Sequence, residues 1–458
     1  MILTRDKRFY KTLFLLAVPI ALQNLVTFSV GLLDNVMIGA LGDTAISGVY
    51  MGNQIQTLLQ IFSGGIEGAI LVLAAQYWGK RDTESIKKIV SIGLRLTVAF
   101  GAIVTAVCAT APRWVISIFT GQSQIIESGA GYLGTVAFSY VFFCLTQALI
   151  ASMRSVEAPR IGLYVSIVSL FINGLLNYVL IFGRLGAPAL GVRGAAIATL
   201  AARIAESAIM TVYVFILDKR LALRVRDIFR TDKTLLRDFL RFGAPIIAGQ
   251  LVWAANILST SAIMGRQGSE GVVAALSVAN TLHNLAYVVM NGMSGAVGII
   301  TGKTIGRGEE KLMREYAKTA QMLFLALGLL TGGTLRLLRD PYISVYSISP
   351  AAREQAKALI NVISVTMIGT CYQAACLFGL VRSGGDISFV LKNDCFFVFL
   401  VVLPSALIAT ALSAPPWVVF ACLKCDQILK CLVAAAKINR FNWMKNLTRS
   451  EGNLKADG

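Results

Sequence analysis

Apolar stretches of roughly 20 residues, each closed by charged or turn-forming positions, recur from end to end of the chain. A run of that length crosses the hydrocarbon core of a bilayer as one helix, so the pattern predicts about twelve crossings. They fall near residues 12–38, 45–76, 89–111, 129–151, 160–183, 193–216, 241–264, 271–300, 316–338, 356–382, 388–412 and 415–436. The second and eighth exceed a single straight crossing, and turns are expected within them at Gly64-Gly65 and Gly292. The fold class this implies is an all-α integral membrane protein.

The two halves of the chain resemble each other. Pro19, Leu25, Gly39 and Gly42 align with Pro245, Leu251, Gly265 and Gly268, and after a one-residue change of offset Gly65, Gly68, Ala69 and Gly79 align with Gly292, Gly295, Ala296 and Gly306. Six spans per half is an even number, so both copies enter the membrane in the same direction, giving two six-helix lobes related by a parallel pseudo-twofold. The expected organisation is an N-lobe over 1–217, a basic cytoplasmic linker over 218–240, and a C-lobe with a cytoplasmic tail over 241–458. The linker is read from the stretch Lys219 to Arg241, which holds eight Lys and Arg alternating with Leu and Ile, as suits a segment on the inner membrane surface.

Composition narrows the function classes. Only 14% of the 458 residues are charged and 56% are hydrophobic, against roughly 25% charged in soluble domains. The net charge of +18 has no polar surface on which to bind nucleic acid, so no nucleic-acid partner is expected. Lys and Arg concentrate in alternate connections, which places both termini in the cytoplasm of the plasma (inner) membrane. Membrane lipid is then the surrounding partner, and the chain reads as a monomer. The eight cysteines sit in or beside apolar segments as small hydrophobes and form no disulfide framework.

Polar positions within the spans carry the candidate chemistry, because each is costly in an apolar setting. In the first span Asn24, Thr27, Gly31 and Asp34 share one helical face, and in the fifth Ser166, Ser169, Asn173 and Asn177 do the same. The second offers Asn53, Gln56, Gln60 and Glu67, and the eighth Asn280, Asn284, Tyr287 and Asn291. These stripes read either as walls of a substrate cavity, formed by Asn24, Thr27, Asn53, Gln56, Gln60, Asn280, Asn284 and Tyr287, or as interhelical hydrogen bonds that hold the bundle.

Asp34 stands apart as a carboxylate deep in an apolar span and far in sequence from other charge. Away from water a carboxylate is protonated, paired or bound to a cation, which suits a proton or sodium switch. A hard cation would want further oxygens, and Asn173, Asn177 and Thr199 offer them. The competing role is partner to Arg203, although Glu206, three residues on, can serve Arg203 instead. The second copy carries Thr260 at the position of Asp34, so coupling chemistry would sit in the N-terminal half.

No enzymatic motif emerges. Gly298 to Thr304 is one residue short of a phosphate loop and ends a membrane span. The single histidine, His283, rules out a two-histidine zinc helix and is expected to pack beside the polar face of the eighth span. Cys422-Leu-Lys-Cys425 lacks a second cysteine pair, so no cofactor is expected and no metal beyond a transported Na+ at Asp34.

Ala17-Val-Pro-Ile20, Leu33-Asp34-Asn35-Val-Met-Ile-Gly39, the run from Asn173 to Gly183, Gly191-Val-Arg-Gly194 leading to Thr199, Gly243-Ala-Pro245, Arg382-Ser-Gly-Gly-Asp386 and the tail from Lys437 to Arg449 together resemble the multidrug and toxic compound extrusion (MATE) family. The resemblance is to its DNA-damage-inducible (DinF-like) branch and covers nearly the whole chain. It implies twelve helices in two lobes forming a V, and alternating access. It also implies export of bulky, often cationic organic compounds in exchange for a proton or sodium ion. On this resemblance Asp34 is the coupling acid and Asn173, Asn177 and Thr199 complete its site. Position 177 is Asn where some relatives carry Asp, and Ala254 and Cys371 stand where the sodium-driven branch has C-lobe acids. The alternatives are a lipid-linked saccharide flippase of the same superfamily, which predicts several cations in the cavity, and an integral-membrane transferase, which predicts clustered carboxylates at a membrane face.

Overall fold

The computed structural model describes residues 3–230, 232–267, 271–346 and 348–449; Gly268, aligned above with Gly42, and the end of the tail lie outside them. The described residues form helices and no strand. In chain order, α1 (Lys7–Gly39), α2 (Asp43–Lys80) and α3 (Thr83–Thr110) precede a short α4 (Pro112–Ser117). Then come α5 (Ser123–Val136), α6 (Ser139–Ser155), α7 (Arg160–Phe182), α8 (Gly191–Val212), the one-turn α9 (Val225–Ile228) and α10 (Lys233–Gly265). The remainder is α11 (Val272–Gly306), α12 (Glu310–Ser344), α13 (Pro350–Ala375), α14 (Ile387–Phe396), α15 (Leu403–Ala411), α16 (Pro416–Leu423) and α17 (Asp426–Asn439). Among the described residues ten helices are long and apolar enough to cross a membrane, and eleven spans result when α5 and α6, bent by 52°, count as one.

Several expected features resolve differently. The turns at Gly64-Gly65 and Gly292 do not form; α2 and α11 run through them. In apolar surroundings a broken backbone leaves amides unpaired, which outweighs the low helix propensity of glycine. The span expected over 129–151 instead bends at Ala137, whose carbonyl accepts the Thr105 hydroxyl at 3.0 Å. The eleventh span loosens into a π-helical stretch over Phe397–Val402, just before Pro404, which cannot donate to the helical ladder. The twelfth is two helices, α16 and α17, interrupted at Lys424 and Cys425.

The repeat is visible in the helices. α1 and α10 have 33 residues each and carry Pro19 and Pro245 inside them at equivalent points. Contacts divide the chain into two compact units, one of Met1–Ala21 with Ala248–Thr448 and one of Leu22–Ile247 with Arg449.

In the unit over Leu22–Ile247, the core gathers Ile38, Val49, Leu59, Ile116, Leu133 and Tyr140. Lipid is as apolar as these side chains, so helix association there depends on close packing. A Cβ on Gly48 would stand 2.8 Å from the Gly129 amide nitrogen, so α2 and α5 touch backbone to backbone. The basic stretch before α10 packs on α3. Leu221 and Leu223 are buried, and the Ser91 hydroxyl donates to the Asp227 carbonyl at 3.0 Å. Lys88 pairs with Asp232 at 2.9 Å.

In the other unit α13 is central, with its π-helical continuation over Cys376–Arg382; 72% of its apolar window is buried. The tail folds back on the turn that follows. Asp386 there is gripped by Lys437 at 2.6 Å and Lys445 at 2.7 Å. Trp443 is fully buried, and its indole N–H donates to the Ile438 carbonyl at 3.0 Å.

Candidate functional site

α7 places Ser166, Ser169, Asn173 and Asn177 at helical spacing on one buried face, and Gly183, with φ of 66°, ends the helix. α8 packs against α7 and supplies Thr199, Arg203 and Glu206; α1 supplies Thr27 and Asp34. Thr27, Asp34, Ser166, Ser169, Asn173, Thr199, Arg203 and Glu206 line a polar cavity of about 40 Å³, room for an ion or a water and far too small for a drug.

The cavity's interior is a hydrogen-bonded chain. The Asn177 amide donates to the Asp34 carboxylate and to Asn173 Oδ1 at 3.1 Å, and Asn173 donates to Thr199 Oγ1 at 3.5 Å. Asn177 Oδ1 is buried without a partner. Arg203 pairs with Glu206 at 2.8 Å and lies 5.0 Å over the Phe143 ring. Among the described residues Asp34 makes no ion pair, so the cavity holds a half-buried carboxylate whose nearest cation is already engaged.

Asp34, Asn173, Asn177 and Thr199 are thus brought together, with Thr27 beside them. The other cavity residues are not. Asn24 is half-buried. Asn53 accepts a hydrogen bond from Tyr132 at 3.3 Å, Gln56 Nε2 is buried without a partner, and Gln60 is exposed. Asn280, Asn284 and Tyr287 belong to the other unit. There Tyr287 stacks on His283 with ring centroids 5.9 Å apart, and Asn284 is exposed. A hollow of about 740 Å³ in that unit, bordered by Val362, Val365, Trp417, Ile428 and Leu429, has no charged side chain in its wall.

Sequence reasoning placed Glu67 only at the end of the α2 stripe, although like Asp34 it is a carboxylate inside a membrane-spanning helix far from sequence neighbours of either charge. Tyr132 was missed; it bonds Asn53 and has no periodic polar stripe to mark it.

An all-helical chain with this many membrane-length segments and an ion-sized polar cavity inside one unit belongs to the class of multi-pass transporters. The family model MatE matches residues 19–179 and 245–408, so the chain belongs to that family of membrane transporters, which are not enzymes. The two matched stretches begin at Pro19 and Pro245, the same pair that the internal repeat aligns. The chain is 27% identical over 369 residues to the probable multidrug resistance protein NorM of Agrobacterium fabrum, covering 80% of this chain and 78% of the relative. It is 23% identical to the multidrug resistance protein MdtK of Edwardsiella ictaluri, covering 85% and 84%. Among solved structures, a MATE family transporter of the MOP superfamily in an outward-facing conformation superposes with a TM-score of 0.85 at 18% identity, covering 96% of this chain and 99% of that one. A MATE crystal structure in complex with MaL6 gives 0.85 over 94% and 96% at the same identity.

Proposed function

We propose that the chain is a cation-coupled multidrug antiporter of the plasma membrane. It exports bulky, often cationic organic compounds by alternating access, with Asp34 as the group whose neutralisation is exchanged for work. The observation that carries this reading is the Asp34 carboxylate in its small polar cavity, donated to by Asn177 and, among the described residues, free of any ion pair while Arg203 is held by Glu206. A cation entering such a site changes the local charge, and an antiporter needs the cation and the drug to bias the unit in opposite directions.

The Asn177 amide N–H faces Asp34, an arrangement that suits a carboxylate exchanging a proton. Sodium would require the side chain to turn so that its unpartnered Oδ1 faced the ion. The flippase reading is less well supported, since the one arginine in the cavity wall is already paired. The test is export of a panel of fluorescent organic cations from membrane vesicles, with a proton or a sodium gradient imposed separately. Gradient-driven export is expected from the parent and none from Asp34→Asn present at equal level. Full export by that variant would remove Asp34 from the mechanism.

A further inference from the structure

Four helices of the unit over Leu22–Ile247 converge on a second polar group that the Asp34 cavity does not include. Glu67 lies in α2 within the run Gly64-Gly65-Ile66-Glu67-Gly68, in the interior of a membrane-spanning helix. Its carboxylate is half-buried and, among the described residues, makes neither a hydrogen bond nor an ion pair. α6 packs on α2 and brings Arg154, in its last turn, near enough for its charge to act on Glu67; the other titratable neighbour is the Cys144 thiol, about three turns earlier in α6, which contacts Ser63 at 3.7 Å.

Arg154 is aimed rather than loose. Its Nη2 donates to Gln23 Oε1 of α1 at 2.8 Å, while its Nε is buried without a partner. Gln23 is itself buried and is seated against Gly162 of α7, where a Cβ would stand 2.7 Å from the amide oxygen. Gly162 therefore leaves the space that Gln23 occupies. A guanidinium held by an amide, with one N–H unused and an unpaired carboxylate as its charged neighbour, is incomplete as a structural ion pair. A fixed pair would close to bonding distance, because an unpaired charge in an apolar span is costly.

We propose that Glu67 is a second proton-exchanging group of this unit, with Arg154 as its positioning residue. This rests on the antiporter reading above and on proton coupling within it. Gln23 lies about 16 Å of helix rise from Asp34 along α1, toward the N-terminal end. The unit thus carries one exchangeable carboxylate toward each end of the span. The Glu67 carboxylate takes a proton from water on one side of the membrane in one conformation of the unit and returns it to water on the other side in another, with Arg154 answering its charge while it is ionised. No bond other than O–H is made or broken.

The experiment uses the full chain in proteoliposomes, with ethidium as the transported cation and an encapsulated pH-sensitive dye. Glu67→Gln is expected to bind ethidium as the parent does but to lose substrate-linked proton flux by about 100-fold, the scale of a lost acid–base group. Glu67→Asp should restore most of the flux with a displaced pH profile, which a packing role would not produce. Parental flux and pH profile in Glu67→Gln would overturn the proposal, as would a Glu67→Asp variant that is equally inactive, or a parent that moves no proton with ethidium. Asp34→Asn is run alongside. If it retains full coupled transport, Asp34 drops out of the antiporter reading, whereas loss of transport there with normal Glu67→Gln removes only the second station.

Discussion

The grip of the tail on Asp386 yields a prediction whose size follows from its surroundings. The Asp386 side chain is 9% exposed, Lys437 12% and Lys445 52%. Breaking a buried pair by removing one partner costs about 3–5 kcal/mol, because the other charge stays buried. A half-exposed pair is worth about 1 kcal/mol or less. Asp386→Ala and Lys437→Met should therefore each destabilise the chain by about 3 kcal/mol, whereas Lys445→Met should cost under about 1 kcal/mol. Burial alone would push the Asp386 carboxyl up, but hydrogen bonds and charge from Lys437 and Lys445 outweigh it and hold the group below the usual carboxylate range. A depressed folded value means that the stabilisation is present above the unfolded pKa of about 3.9 and is lost as pH falls through the folded value. Thermal unfolding in detergent should thus show a parent-to-Asp386→Asn gap that is flat from about pH 8 to pH 5 and shrinks only below about pH 4. Equal costs for Lys437→Met and Lys445→Met, or a gap that closes near neutral pH, would refute the reasoning.

Two further outcomes can be checked directly. Gly48→Ala inserts a methyl 2.8 Å from the Gly129 nitrogen and should cost about 1–3 kcal/mol in the same unfolding assay, since both backbones must separate. Asn177→Leu removes a hydrogen bond to a charged group, worth about 1.5–3 kcal/mol, and should reduce gradient-driven export by about tenfold or more without loss of folded yield; unchanged export would show that the Asn177 amide does no work at Asp34.

Much of the architecture was written in the one-dimensional pattern, because a bilayer imposes its thickness on each apolar run and demands an internally satisfied backbone. The repeat was legible for the same reason, through prolines and glycines at matching points of α1 and α10. Helix interruptions were not. The bend at Ala137 has no proline or glycine at it and is stabilised by Thr105, which is distant in sequence. The split between α16 and α17 is followed by Lys430, which pairs with Asp426 of its own helix at 3.1 Å and with Asp394 of another at 2.8 Å, and spacing along the chain could point only to the first.

At the candidate site the periodic stripes of α1 and α7 identified Asp34, Asn173 and Asn177, since residues three and four apart must share a face. The stripe on α2 gave the right helix but could not say that Asn53 meets Tyr132.

From sequence alone came the membrane class, the duplicated halves and a short list of polar groups costly enough in an apolar span to need a reason. Tertiary structure alone decided which of those groups meet. Arg203 is occupied by Glu206, Asp34 is left to Asn177, and Arg154 is held by Gln23. Local spacing determines the face a residue lies on, but the charge that answers it arrives from a helix folded in from elsewhere along the chain.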